Sequence, residues 1–185
     1  GTLTKLPEAR KDYRNLTINI WSAGGGKSSF EGHKAADLIE GVALAIESKS
    51  EEPFLVIHHK DSERNRFTNK LARRLGARTM ERVHLLNWGQ HDATNAYSEV
   101  PNVILAGTLF YRPSHYEALG RGAAALRSGS GDLSQEQLRG VELGEHAHLI
   151  LQALCRGRVR KLEQEKCGLC EAWIIASPKT GIHDA

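Results

Sequence analysis

Apolar and polar side chains alternate from 15 to 21 (Asn15-Leu-Thr-Ile-Asn-Ile-Trp21), the period-two pattern of a strand. A glycine-rich loop follows over 22–29. From His33 onward Ala35, Leu38, Ile39, Val42 and Ile46 recur at helical spacing, which predicts a helix with one face packed on a sheet. The run 53–58 is continuously apolar and predicts a strand buried on both faces. A helix is predicted over 63–75, with Phe67, Leu71 and Leu75 on one stripe. Gly76 is placed to end it, because glycine takes the left-handed conformation at little cost. Strands are predicted at 82–87 and 102–106, joined by a long polar connection over 88–101. A helix follows over 113–127, with Pro113 in its first turn. After a Ser/Gly break at 128–132 come a short helix near 134–143, a strong helix over 145–162 and a last strand at 172–177. Short apolar strands alternating with helices imply a three-layer α/β fold: a mostly parallel sheet with helices on both faces.

Composition narrows this picture only slightly. The chain has 185 residues, 40% hydrophobic and 25% charged. That suits one globular domain spanning 1–185 rather than a disordered chain. Its longest apolar stretches, such as 103–106 and 173–176, are far too short to cross a bilayer. No membrane partner is therefore expected. The start, Gly1-Thr-Leu-Thr-Lys5, has neither initiator Met nor secretory segment. It is expected to be a fragment of a longer chain. Three cysteines, Cys155, Cys167 and Cys170, fit a reducing cytoplasm better than a disulfide framework. The C-x-x-C pair Cys167/Cys170 lacks the further ligands of a structural zinc site and reads as a reduced turn, so no metal site is expected. A net charge of +3 permits a nucleic-acid partner without arguing for one. Charge distribution says more: four cations lie within 156–161, and five with one acid within 70–82.

The most informative chemistry lies in Gln152-Ala-Leu-Cys-Arg-Gly-Arg-Val-Arg160. Successive helical residues turn by about 100°, so Arg156, Arg158 and Arg160 cannot share one helical face. A guanidinium is planar, permanently charged and suited to bidentate contact with phosphate oxygens. This segment resembles motif VI of superfamily 2 helicases, Gln-x-x-Gly-Arg-x-x-Arg, in their second RecA-like domain. Gln152 and Arg156 match at the family spacing. Cys155 stands where the family has Gly, and the last family arginine falls on Val159. Either Arg160 or Arg158 then supplies the second contact. Under this resemblance the arginines are catalytic fingers that stabilise charge on a transferred phosphoryl group.

Neighbouring segments extend the resemblance over about 50–177. Phe54-Leu-Val-Ile-His-His-Lys60 looks like motif IV, whose polar end would face nucleic acid. The residues implied there are His58, His59 and Lys60, with Thr108 after the 102–106 strand. The loop 89–96 resembles the Thr/Gly/Asn-rich loop that couples nucleotide and nucleic-acid sites. Thr94, Asn95 and Gln152 are implied on the nucleotide side. A helicase hydrolase of this type would bind ATP and Mg²⁺ mainly on an N-terminal RecA-like domain absent from these residues. This half would close on that domain and hold DNA or RNA. It would be inactive by itself.

Two other classes remain. Gly24-Gly-Gly-Lys-Ser28 follows a strand and matches most of a phosphate-cradling Walker A loop, so a self-contained P-loop phosphotransferase using Lys27 is one alternative. Against it, Trp21 replaces the expected small residue, Phe30-Glu-Gly32 delays the helix, and no Asp-Glu box supplies a carboxylate for magnesium. The other alternative is a non-catalytic module that binds nucleic acid or protein.

Overall fold

A computed structural model describes residues 12–90, 95–124 and 131–182. Five strands make the main sheet: β1 (Leu16–Ser22), β2 (Phe54–His58), β3 (Val83–Asn87), β4 (Asn102–Ala106) and, after a small hairpin of β5 (Leu162–Glu163) with β6 (Lys166–Cys167), β7 (Cys170–Ala176). All pairings in the main sheet are parallel, in the order β1-β7-β4-β2-β3. The helices are α1 (Ala35–Glu47), α2 (Phe67–Met80), α3 (Pro113–Ala123) and α4 (Gln135–Leu154). The α/β architecture with a parallel sheet agrees with the alternation of the sequence pattern. Among the described residues, no helix is long and apolar enough to cross a membrane.

Each sheet face carries its own core. On one side Leu38, Ile39, Val42 and Ile46 of α1, with Phe67, Leu71 and Leu75 of α2, pack against Phe54, Val56, Ile104 and Ile175. On the other, Ile150, Ala153 and Leu154 of α4 pack against Leu55, Ile57, Val103, Leu105 and Ile174. Strands β2 and β4 are buried along their whole length. That is why both read as unbroken apolar runs rather than alternating ones. Strand β1 lies at the edge, where Ile18 and Ile20 remain exposed.

Several element boundaries differ from the sequence pattern; α2 begins at Phe67 rather than at 63. Gly76 does break helical geometry, with φ 74°, but α2 makes a further turn to Met80. The two helices expected over 134–143 and 145–162 form one, α4. It opens with a reciprocal capping box between Ser134 and Gln137, which satisfies two amide donors at the helix start. It also ends early, at Leu154. There the chain turns through Gly157, whose position leaves no room for a side chain: a Cβ would meet Val103 at 2.5 Å and the Val100 carbonyl at 3.0 Å.

Candidate functional site

The arginine segment leaves α4 as a tight turn and a 3-10 turn, Arg158–Arg160. The Arg158 amide donates to the Val100 carbonyl (2.8 Å), pinning the turn to the chain just before β4. The turn therefore lies at the amino-terminal ends of the strands. Connectivity forces this. Helix α4 must carry the chain back from the end of β4 to the start of parallel β7, so its C-terminus arrives at the opposite edge from the strand tips. Its 20 residues span about 30 Å, well beyond a five-residue strand of about 17 Å.

The three arginines have different surroundings. Arg158 is held by Glu163, whose Oε1 accepts from its Nε (3.1 Å) and Nη2 (2.9 Å). This pair ties the turn to the β5–β6 hairpin. Arg160 is exposed and donates through Nη1 to Oδ1 of Asn95. Arg156 is half-buried, with its Nε beneath the surface. Arg156 and Arg160, together with Asn95, His148, Leu151, Gln152 and Cys155, line an open cleft of about 550 Å³. A second cleft of about 370 Å³, lined by Gly89, Leu109, Tyr111 and Glu145 among others, shares the walls His148, Gln152 and Arg156. The pair forms one trough along α4. It runs from residues just past the tips of β3 and β4 down to the arginine turn.

Gly89 and Asn95, from the two described parts of the connection after β3, face α4 across these clefts. Trp88, Tyr97 and Val100 pack into the core on the α4 side of the sheet. With Tyr97 and Val100 held there, Asn95 stands beside Arg160. The structure thus gathers Gln152, Arg156, Arg160 and Asn95; Thr94 lies outside the described residues. His148 was not evident from the motif. It stands one helical turn before Gln152, and its Nε2 accepts from Gln152 Nε2 at 2.7 Å. That i, i+4 spacing was the available signal.

The carboxyl edge of the sheet is closed rather than open. His58, His59 and Thr108 are 3%, 7% and 0% exposed, so only Lys60 of the proposed nucleic-acid residues reaches the surface. His58 stacks on Phe67 at 4.9 Å. The Gly25 carbonyl accepts from His59 Nε2 (2.9 Å) and from the Thr108 amide (2.9 Å). Gly107, at φ 91°, is required here, since a Cβ would collide with that same carbonyl and sit 2.9 Å from His59 Nε2. Burial holds both imidazoles below their ordinary pKa and keeps them neutral.

The glycine-rich loop is therefore sewn into the sheet by a carbonyl. Lys27 begins a single 3-10 turn, and α1 starts only at Ala35. A Walker cradle instead places its lysine at the first turn of an α-helix, with backbone amides facing the phosphate. A cleft of about 400 Å³ does open beside the loop, lined by Gly24, Ser28, Ser29, His33 and Lys34 among others. None of the five main strands ends in a carboxylate. None of the three cysteines is in a disulfide, and no metal-binding cluster occurs among the described residues. Desolvation pushes the Cys170 thiol up to about 12, which makes it inert.

No family model matches the chain, and neither the curated proteins nor the solved structures compared with it gave a match.

Proposed function

We propose that this chain is the second motor domain of a superfamily 2 helicase or nucleic-acid translocase, presenting Arg156 and Arg160 to ATP and Mg²⁺ held by an N-terminal domain. One observation carries this reading. The motif VI-like segment and Asn95, from the second segment that resembles the family, lie far apart in sequence, yet they line one cleft. An open cleft walled by two guanidiniums, an amide pair and an imidazole suits the oxygens of a polyphosphate. Arg160, not Arg158, is the second finger in this reading, because Glu163 already occupies the Arg158 guanidinium.

Stabilisation of a transferring phosphoryl group by an arginine finger is worth roughly 10³–10⁵ in rate. Substituting Arg156→Ala in the full-length protein is expected to lower single-turnover ATP hydrolysis by about a thousandfold or more. Nucleotide affinity should change far less. An unchanged hydrolysis rate would overturn the reading. ATP turnover by residues 1–185 alone, abolished by Lys27→Ala, would do so in favour of a phosphotransferase.

A further inference from the structure

Residues 60–82 carry eight cationic side chains against three carboxylates, more than the whole chain's surplus of +3. Two of the eight are committed within the fold. Arg74 makes bidentate contacts of 2.7–3.1 Å with both Glu40 and Glu47, clamping α2 to α1. Arg82 donates to the carbonyls of Glu52 and Ile46. Lys60, Arg64, Arg66, Lys70, Arg73 and Arg78 are all exposed, and none has a carboxylate of the described residues at ion-pair distance.

Their placement is ordered by the helix. Burying Phe67, Leu71 and Leu75 turns Arg66, Lys70 and Arg73 along one flank of α2 at intervals of four and three residues, roughly 6 and 4.5 Å along the axis. Lys60 and Arg64 extend the stripe beyond the carboxyl end of β2. We propose that this stripe is a sequence-independent track for the phosphodiester backbone of a nucleic-acid strand. It lies on the opposite face of the sheet from the arginine cleft.

The composition of the stripe selects that partner. Evenly spaced Lys and Arg neutralise a linear polyanion and release its counterions. A membrane surface would call for apolar side chains to insert beside the charges. None of the exposed large apolar residues found among the described residues falls between 60 and 82; they lie on β1, α1, α3, α4, β5 and the loops nearby. The inference deepens the motor reading by naming where the strand would run. Its test is independent of that reading, because it uses neither ATP nor the arginine cleft.

The experiment titrates the protein into a fluorescently labelled 20-nucleotide single strand at several salt concentrations. It compares the wild type, Arg66→Gln/Lys70→Gln/Arg73→Gln, and the control Arg139→Gln/Lys179→Gln, whose cations are exposed elsewhere. Circular dichroism and thermal unfolding verify that all three fold alike. The wild type and control should bind with the same steep salt dependence. The triple variant should lose about 2 from the slope of log K against log salt. Equal slopes in all three proteins, no binding by the wild type at low salt, or equal binding to anionic lipid vesicles or polyglutamate would overturn the proposal. A positive result with an inert Arg156→Ala would leave the track standing and remove the motor.

Discussion

Two loops of this protein carry residue types that bind phosphate, and the fold treats them in opposite ways. The 24–28 loop has three glycines, a lysine and a serine, and Gly25 among them serves the sheet. Gly25 offers its carbonyl to His59 and Thr108, so the loop closes the carboxyl edge. The 152–160 segment has one glycine, which gives a tight turn against β4. Its arginines Arg156 and Arg160 remain at the wall of an open cleft. What separates the loops is where the neighbouring backbone needs partners. A parallel sheet leaves buried polar groups at its strand tips that the chain itself must satisfy. The turn after α4 gives one amide, that of Arg158, to the Val100 carbonyl and leaves the Arg156 and Arg160 side chains on the cleft wall.

The sharpest way to break the contrast is kinetic. The Arg156→Ala loss of about a thousandfold in hydrolysis should have no counterpart at Lys27. Next in size is Gly107→Ala, which adds a side chain at positive φ against the Gly25 carbonyl and His59. It is expected to destabilise the domain by about 2–4 kcal/mol in urea unfolding. A cost below about 0.5 kcal/mol would mean that the glycine-rich loop is not fixed to the edge.

A pH series tests the same edge. His58, His59 and His146 have pKa values lowered first by burial, below the 6.5 of an unfolded histidine. Asp61 near His58 and Glu31 near His59 oppose this shift, while Lys27 reinforces it at His59. The neutral imidazoles stabilise the fold fully above pH 6.5. Below it the unfolded chain takes up protons that the folded chain refuses, and stability falls. The urea midpoint should decline between pH 7.5 and 5.5; a flat or rising midpoint would contradict burial of these rings.

Smallest is the Arg158–Glu163 pair, whose side chains are 37% and 39% exposed. Solvent screening limits its contribution, so Glu163→Gln should cost less than about 1 kcal/mol in the same unfolding measurement. A larger loss would make the hairpin a principal support of the arginine turn.

Much of the fold was legible because burial writes itself into periodicity. Phe54 to Ile57 and Val103 to Ala106 are apolar without interruption because both faces of β2 and β4 are covered. The α1 stripe at 38, 39, 42 and 46 shows the one face that meets the sheet. The length of α4 was less legible, since its capping box and its end at Leu154 depend on local geometry at Ser134 and Gly157. Of the candidate site, Gln152 and the arginines stood out by residue type. The differences among Arg156, Arg158 and Arg160 did not, because a guanidinium's availability depends on whether a carboxylate such as Glu163 is brought to it.

The alternation of strands and helices, the two-sided burial of the central strands and the concentration of arginine after α4 were already written in the chain. These are properties of neighbouring residues and their spacing. Folding added the rest: the glycine loop turns inward, His58, His59 and Thr108 are sealed in, and Asn95 meets Arg160. Those outcomes depend on contacts between segments distant in the chain. Strand order and the direction of the return helix fix such contacts, and no local pattern encodes them.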